Sequence, residues 1–196
     1  MRALVVYAHP SPDSLTHALY EAATAALAGA GHEVVGLDLY AEELAPAMSE
    51  AERRAYHSDQ PIIDPTVARH AELVRWADAL VFVYPTWWMG LPAILKGWLE
   101  RVLVPGVAFH LDPVTNRVVS DLGAVRRVVG ITTYGSSWPA VHLVHDGGRR
   151  TLLRALRMLC GRRCRTAWLA LHSVDTATPG ERARFIARVE QRLARL

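Results

Sequence analysis

Short apolar runs alternate with stretches of helical periodicity along the whole chain. Five of these runs read as strands, at residues 3–7, 33–39, 78–84, 125–132 and 167–171. The run from Ala79 to Tyr84 is apolar at every position, as expected of a strand covered by helices on both faces. Between the strands, residues 14–28, 66–76, 91–103 and roughly 148–159 place apolar side chains at helical spacing. Gly29 and Gly31 carry stop signals for the first helix, and Thr178-Pro179 opens a last amphipathic helix that reaches the C-terminus.

Two stretches interrupt the alternation. Residues 40–65 are irregular apart from a short helix marked by a Ser49/Glu52 capping box. Residues 107–120 contain Asp112-Pro113 and Thr115-Asn116, turn chemistry for an excursion or a small hairpin. No repeat, linker or low-complexity tract divides the chain, so residues 1–196 read as one domain.

Strands alternating with helices imply α/β architecture: a doubly wound parallel sheet with right-handed crossovers and helices on both faces. Five strands fit the flavodoxin-like order 2-1-3-4-5 better than a six-stranded sheet. In that order ligands bind beyond the carboxyl ends of strands 1 and 3, where the winding direction reverses. The unusual residues fall there and after strand 4.

The loop after strand 1 runs from His9 to Thr16, with two prolines and the hydroxyls of Ser11, Ser14 and Thr16 around a helix start. A helix N-terminus with free N–H groups and hydroxyls suits an anion, and His9 adds a candidate charge-assisted partner for a pyrophosphate. Capping by Ser14 or Asp13 is the simpler reading of the same residues. After strand 3 come Pro85, Thr86, Trp87, Trp88, Met89 and Gly90. Adjacent tryptophans beside a glycine suit a flat ring, with N–H groups from Thr86 to Met89 bonding its polar edge; the competing reading packs the indoles into a core or an interface. After strand 4, Thr132, Thr133, Tyr134, Gly135 and Ser136 combine small size with hydroxyl and amide donors.

Composition narrows the classes. Hydrophobic residues make up 51% and charged residues 21%, an ordinary globular balance. No apolar run approaches the roughly 20 residues that span a bilayer, and Arg2 leads straight into a strand rather than a signal peptide, so a cytoplasmic location with no membrane insertion is expected. The net charge is +3 and Lys96 is the single lysine. Arginines crowd the last third, among them Arg149, Arg150, Arg154 and Arg157. They read as a solvated helix face or as an anion-attracting rim, and no motif of nucleic-acid binding accompanies them. Cys160 and Cys164 lack further ligands for zinc and read as structural thiols. Lys96 and Glu100, four apart, read as a surface ion pair beside Arg101.

Three segments carry a resemblance: residues 5–14 (Val-Val-Tyr-Ala-His-Pro-Ser-Pro-Asp-Ser); Pro85 and Trp88 with residues 90–102 (Gly-Leu-Pro-Ala-Ile-Leu-Lys-Gly-Trp-Leu-Glu-Arg-Val); and residues 132–135 (Thr-Thr-Tyr-Gly). The chain resembles the NAD(P)H:quinone oxidoreductase family of the DT-diaphorase type, with a flavodoxin-like fold. The resemblance implies a bound flavin, FAD or alternatively FMN, in a homodimer with active sites at the subunit interface. It implies hydride transfer from NAD(P)H to the flavin and two-electron reduction of a quinone or similar aromatic acceptor. Leu15-Thr16 stands where the family commonly has Phe-Asn, and both are carried as cofactor contacts. Better-known members have a tyrosine and a histidine after the third loop. Here no tyrosine follows Tyr134, so the proton-relay candidates are His142, His145 and Tyr134 itself. A flavin-binding ancillary subunit of a potassium-efflux system is the alternative function.

Overall fold

The computed structural model describes residues 1–196. Five parallel strands form the sheet: β1 (Arg2–Tyr7), β2 (Glu33–Asp38), β3 (Ala79–Pro85), β6 (Arg127–Thr133) and β7 (Arg165–Leu171). Their order is β2-β1-β3-β6-β7, the expected doubly wound arrangement. The remaining strands, β4 (Phe109–Leu111) and β5 (Val118–Ser120), pair antiparallel as the small hairpin anticipated between residues 107 and 120.

Side-chain alternation along the strands feeds two cores. Leu80, Phe82 and Tyr84 of β3 face one, and Ala79, Val81 and Val83 face the other. The first core is closed by α3 (Pro65–Trp76), by α4 (Ala93–Val102) and by a π-helical turn, Thr151–Leu156. On the opposite face lie α1 (Leu15–Gly29) and α7 (Pro179–Leu193). Every residue of β3 is buried, which accounts for its unbroken apolar run.

Helix starts follow the local chemistry. Ser14 caps α1 by accepting the His17 N–H, Asp64 caps α3, and Ser49 with Glu52 forms the expected capping box on α2 (Glu50–Ala55). The helix expected over 91–103 begins at Ala93, because Pro92 occupies its N-cap. Two differences follow the third site loop. Residues Trp138–Leu143 form α5, where a loop was expected. The single helix expected over 148–159 is instead α6 (Gly147–Arg150) continuing into the π-helical turn.

The irregular stretch before α3 is anchored by α4. Arg101, 5% exposed, donates to Glu52 Oε1 (2.7 Å), Asp64 Oδ2 (2.7 Å) and the Ala45 carbonyl (2.6 Å). One turn earlier Gly97 lets this stretch close in: a Cβ there would lie 1.9 Å from the Pro46 carbonyl oxygen. Trp98 beside it is fully buried, edge-on to Phe82. Lys96 and Glu100 pair on the exposed side of α4. Both cysteine thiols are buried and free, and burial pushes Cys160 up to about 12.

Candidate functional site

The loops after β1, β3 and β6 meet beyond the carboxyl ends of the three central strands. The Thr86 N–H donates to the Thr133 carbonyl (2.8 Å), and the Thr86 and Thr132 hydroxyls share a 2.8 Å hydrogen bond. The His9 ring lies 6.0 Å from the Trp87 indole, which brings the first loop against the second.

In the β1 loop the residues hold one another. His9 Nδ1 lies 3.0 Å from the Ser11 N–H and 3.2 Å from the Ser11 carbonyl oxygen, so either tautomer of the ring is held by the backbone of its own loop. Burial lowers the His9 pKa, which favours the neutral ring. The Ser14 hydroxyl is occupied as the α1 cap, the simpler of its two readings. Thr16, as a residue, is 3% exposed. The Leu15 and Thr16 N–H groups, in the first turn of a 15-residue helix, have no acceptor. The anion-binding capacity of this loop therefore sits in backbone amides rather than in hydroxyls.

The β3 loop is a tight turn from Trp87 to Gly90. The Gly90 N–H donates to the Trp87 carbonyl (3.0 Å), and the central residues Trp88 and Met89 have φ of +47° and +54°. This is a type I′ arrangement, which ordinarily selects Asn-Gly. Trp88 is entirely exposed and Trp87 is 43% exposed, so neither indole packs into the core of this chain. The Trp88 and Met89 N–H groups have no acceptor.

The β6 loop contributes Gly135 and Ser136, whose N–H groups are also free, while the Ser136 carbonyl accepts the Ser173 N–H at 3.1 Å. Tyr134 is buried and donates its hydroxyl to Asp146 Oδ2. Burial, then the Asp146 carboxylate, push the Tyr134 pKa well up. Its hydroxyl is therefore engaged by a carboxylate in this structure. Asp146 Oδ1 also accepts the Arg149 N–H (3.1 Å), capping α6, and the adjacent Gly147 N–H donates to the Met89 carbonyl (3.0 Å). Asp146 thus joins the third loop to the strained turn of the second. It was not among the residues singled out from the sequence, although an aspartate before Gly147-Gly148 is a legible helix cap. Gly148 is closely packed: a Cβ there would meet Tyr84 Oη at 3.1 Å and Leu91 Cδ2 at 3.2 Å.

His142 and His145 are both exposed, and the His142 ring lies 4.2 Å from that of Trp138. Together with Tyr134 they line a cleft of about 670 Å³ toward the β7 edge, whose lining begins at the β6 loop and includes none of the first two loops. The three relay candidates therefore share one cleft, which adjoins the cofactor loops through Tyr134 of the third. His172, another residue not singled out from the sequence, stacks on Tyr134 at 4.7 Å and 4° in the same cleft.

The arrangement fits a flavin on three counts. Free amides at the α1 N-terminus match a phosphate, free amides at Trp88, Met89, Gly135 and Ser136 match a polar ring edge, and an exposed indole offers a flat face.

A family model described as "Flavodoxin-like fold" matches residues 1–196. The chain is similar to NAD(P)H dehydrogenase [quinone] 1 of Rattus norvegicus, 35% identical over 153 residues, which covers 69% of this chain and 54% of that relative. It thus spans about half the length of the curated relatives it matches. Among solved structures it superposes on Smu.1420 from Streptococcus mutans UA159 with a TM-score of 0.83 and 28% identity, over 100% of both chains. An FMN-dependent NADH-azoreductase from Bacillus anthracis str. Ames Ancestor, solved with FMN, shares the fold at a TM-score of 0.79 and 15% identity, over 99% of this chain and 98% of that one.

Proposed function

Because the chain belongs to the flavodoxin-like fold family, we propose that it is a flavin-dependent NAD(P)H:quinone oxidoreductase. The observation that carries this reading is the convergence of the loops after β1, β3 and β6 with unpartnered N–H groups on each. The kinship with a quinone dehydrogenase favours an enzyme over an ancillary transporter subunit. No helix is long and apolar enough to cross a membrane, and the proposed location is the cytoplasm.

A bound flavin supplies the hydride-accepting and electron-donating chemistry. The residues of this chain bind and orient it. The Leu15 and Thr16 amides at the α1 N-terminus would hold phosphate, with the His9 ring as a further contact. FAD is the proposed form and FMN the alternative. Amides of Trp88, Met89, Gly135 and Ser136 would hold the ring's polar edge, where their dipoles favour negative charge. Pro85, Thr86, Thr132 and Thr133 shape the floor. Trp88 covers the ring face, with Trp87 bracing it against His9. His142 or His145 delivers the proton to the acceptor, since both are exposed beside the third loop and the Tyr134 hydroxyl is engaged. A homodimer is proposed as well, with the exposed Leu143 and Val144 at its interface.

The test is reconstitution with FAD and with FMN, followed by NADPH and NADH oxidation with a benzoquinone. A yellow protein that turns over supports the reading, and mass spectrometry of the heat-released cofactor decides its form. Protein that retains neither flavin and oxidises neither coenzyme refutes it.

A further inference from the structure

The cleft at the β7 edge has a lining unlike that of the cofactor loops. Arg149 and Arg150 of α6, Arg154 of the π-helical turn and Arg188 of α7 all border it. Five arginines of this protein pair with carboxylates, Arg2 with Asp78, Arg54 with Glu50, Arg69 with Glu42, Arg75 with Glu72, and Arg101 with Glu52 and Asp64, and the others do not; what sets the cleft apart is that four of these unpaired arginines converge on one concavity. None of the four cleft guanidinium groups has such a partner. The one carboxylate in the lining, Asp146, is buried and already accepts from Tyr134 and from the Arg149 backbone.

Four uncompensated cations around one concavity repel one another, and an anion seated among them removes that repulsion. Guanidinium groups favour phosphoryl oxygens, which they can hold through paired N–H donors. The other walls are planar and aromatic: Trp168, the Tyr134–His172 stack, and Trp138 with His142. Flat surfaces next to guanidinium groups suit a purine base joined to phosphate. A concave cleft of about 670 Å³ holds a mononucleotide, whereas a nucleic-acid strand needs an extended basic stripe. A π-helical turn, common at functional sites, carries Arg154 into the lining.

We propose that this cleft binds a phosphorylated purine nucleotide, its phosphate held by Arg149, Arg150, Arg154 and Arg188 and its base by the aromatic walls. Two sources carry that chemistry. One is the adenosine 2′-phosphate end of NADPH, which reaches the cleft past the β6 loop, since Tyr134 belongs to both; this source rests on the proposed function. The other is a separate nucleotide, which does not.

The experiment is calorimetric titration of 2′,5′-ADP into the protein. Binding is expected to weaken with salt and to fall about tenfold or more in Arg150→Ala/Arg154→Ala, whose exposed side chains leave the core untouched. Arg188→Ala, on a different element, should weaken it independently. Failure of 2′,5′-ADP to bind, or binding unchanged in both variants, overturns the proposal. Steady-state kinetics separates the sources. A fall in kcat/KM in the double variant, larger for NADPH than for NADH, identifies the coenzyme, and unchanged kcat/KM for both identifies a separate nucleotide. If 2′,5′-ADP binds through the arginines while neither coenzyme is oxidised, the proposed enzyme falls and the nucleotide cleft stands.

Discussion

The turn at Trp87–Gly90 holds two side-chain-bearing residues, Trp88 and Met89, at φ of +47° and +54°. An L-residue in that region costs about 1–2 kcal/mol, so the pair stores about 2–4 kcal/mol that a glycine or asparagine would largely relieve. Consider replacing Trp88-Met89 by Asn-Gly, the pair a type I′ turn prefers. Trp88 is fully exposed, so its loss removes no packing. Met89 is partly buried, and giving up that contact costs about 1 kcal/mol. The glycine adds unfolded-state entropy worth about 0.5–1 kcal/mol. The net expectation is stabilisation by about 1 kcal/mol, or a Tm rise of about 2–4 °C for a domain of this size. Differential scanning calorimetry of the two flavin-free proteins measures it. Flavin affinity should move the other way, because the ring loses its aromatic cover; fluorescence titration with FAD reads that. Strain kept at a site for function predicts this opposition. A Tm that stays level or falls refutes the strain argument, and unchanged flavin affinity refutes the role given to Trp88.

Three further outcomes are expected. Asp146→Ala removes the α6 cap and leaves the buried Tyr134 hydroxyl unpartnered, which should cost about 2–4 kcal/mol in urea unfolding and loosen the Gly147–Met89 tie; stability within about 0.5 kcal/mol of wild type would contradict it. Arg101→Ala strands Glu52, Asp64 and the Ala45 carbonyl and should cost about 3–5 kcal/mol, read from the shift in urea midpoint; a shift worth under 1 kcal/mol would show that the stretch before α3 is held otherwise. His70 is fully buried, its ring nitrogens lack hydrogen-bond partners, Glu42 is 3.6 Å away, and burial lowers its pKa below 6.5. The unfolded chain therefore binds the extra proton first, so stability should fall as pH drops below about 6.5 and level off beneath the folded value. Thermal melts of His70→Gln should show a shallower acid loss over that window; identical slopes would place the dependence on other groups.

Much of the fold was legible because its causes are local. The strand–helix alternation, the Ser49/Glu52 capping box and the all-apolar β3 each record a periodicity or a cap within a few residues. The three site loops were legible for the same reason, since an α/β sheet places loops after its central strands at one end whatever their detailed shape. Residues 138–143 were missed as a helix because Trp138-Pro139 opens one with no capping side chain and only six residues of pattern.

What the tertiary structure alone decided depends on partners distant in sequence. Nothing local to Arg101, next to the Lys96/Glu100 pair, marks it as buried; Glu52 and Asp64, 49 and 37 residues away, close on it. The seat of Gly97 in a specific motif makes physical sense only with the Pro46 carbonyl against it. His9 and Ser14 carried the right chemistry for an anion, yet the fold spends both on their own loop and leaves the α1 amides free. Arg188 joins Arg149, Arg150 and Arg154 only because α7 and the π-helical turn flank the same edge strand. Short-range periodicity is set by how each residue meets its near neighbours, and so it can be read along the chain. Pairing, close approach and charge convergence are set by how distant elements pack, and this protein's site chemistry lies mostly there.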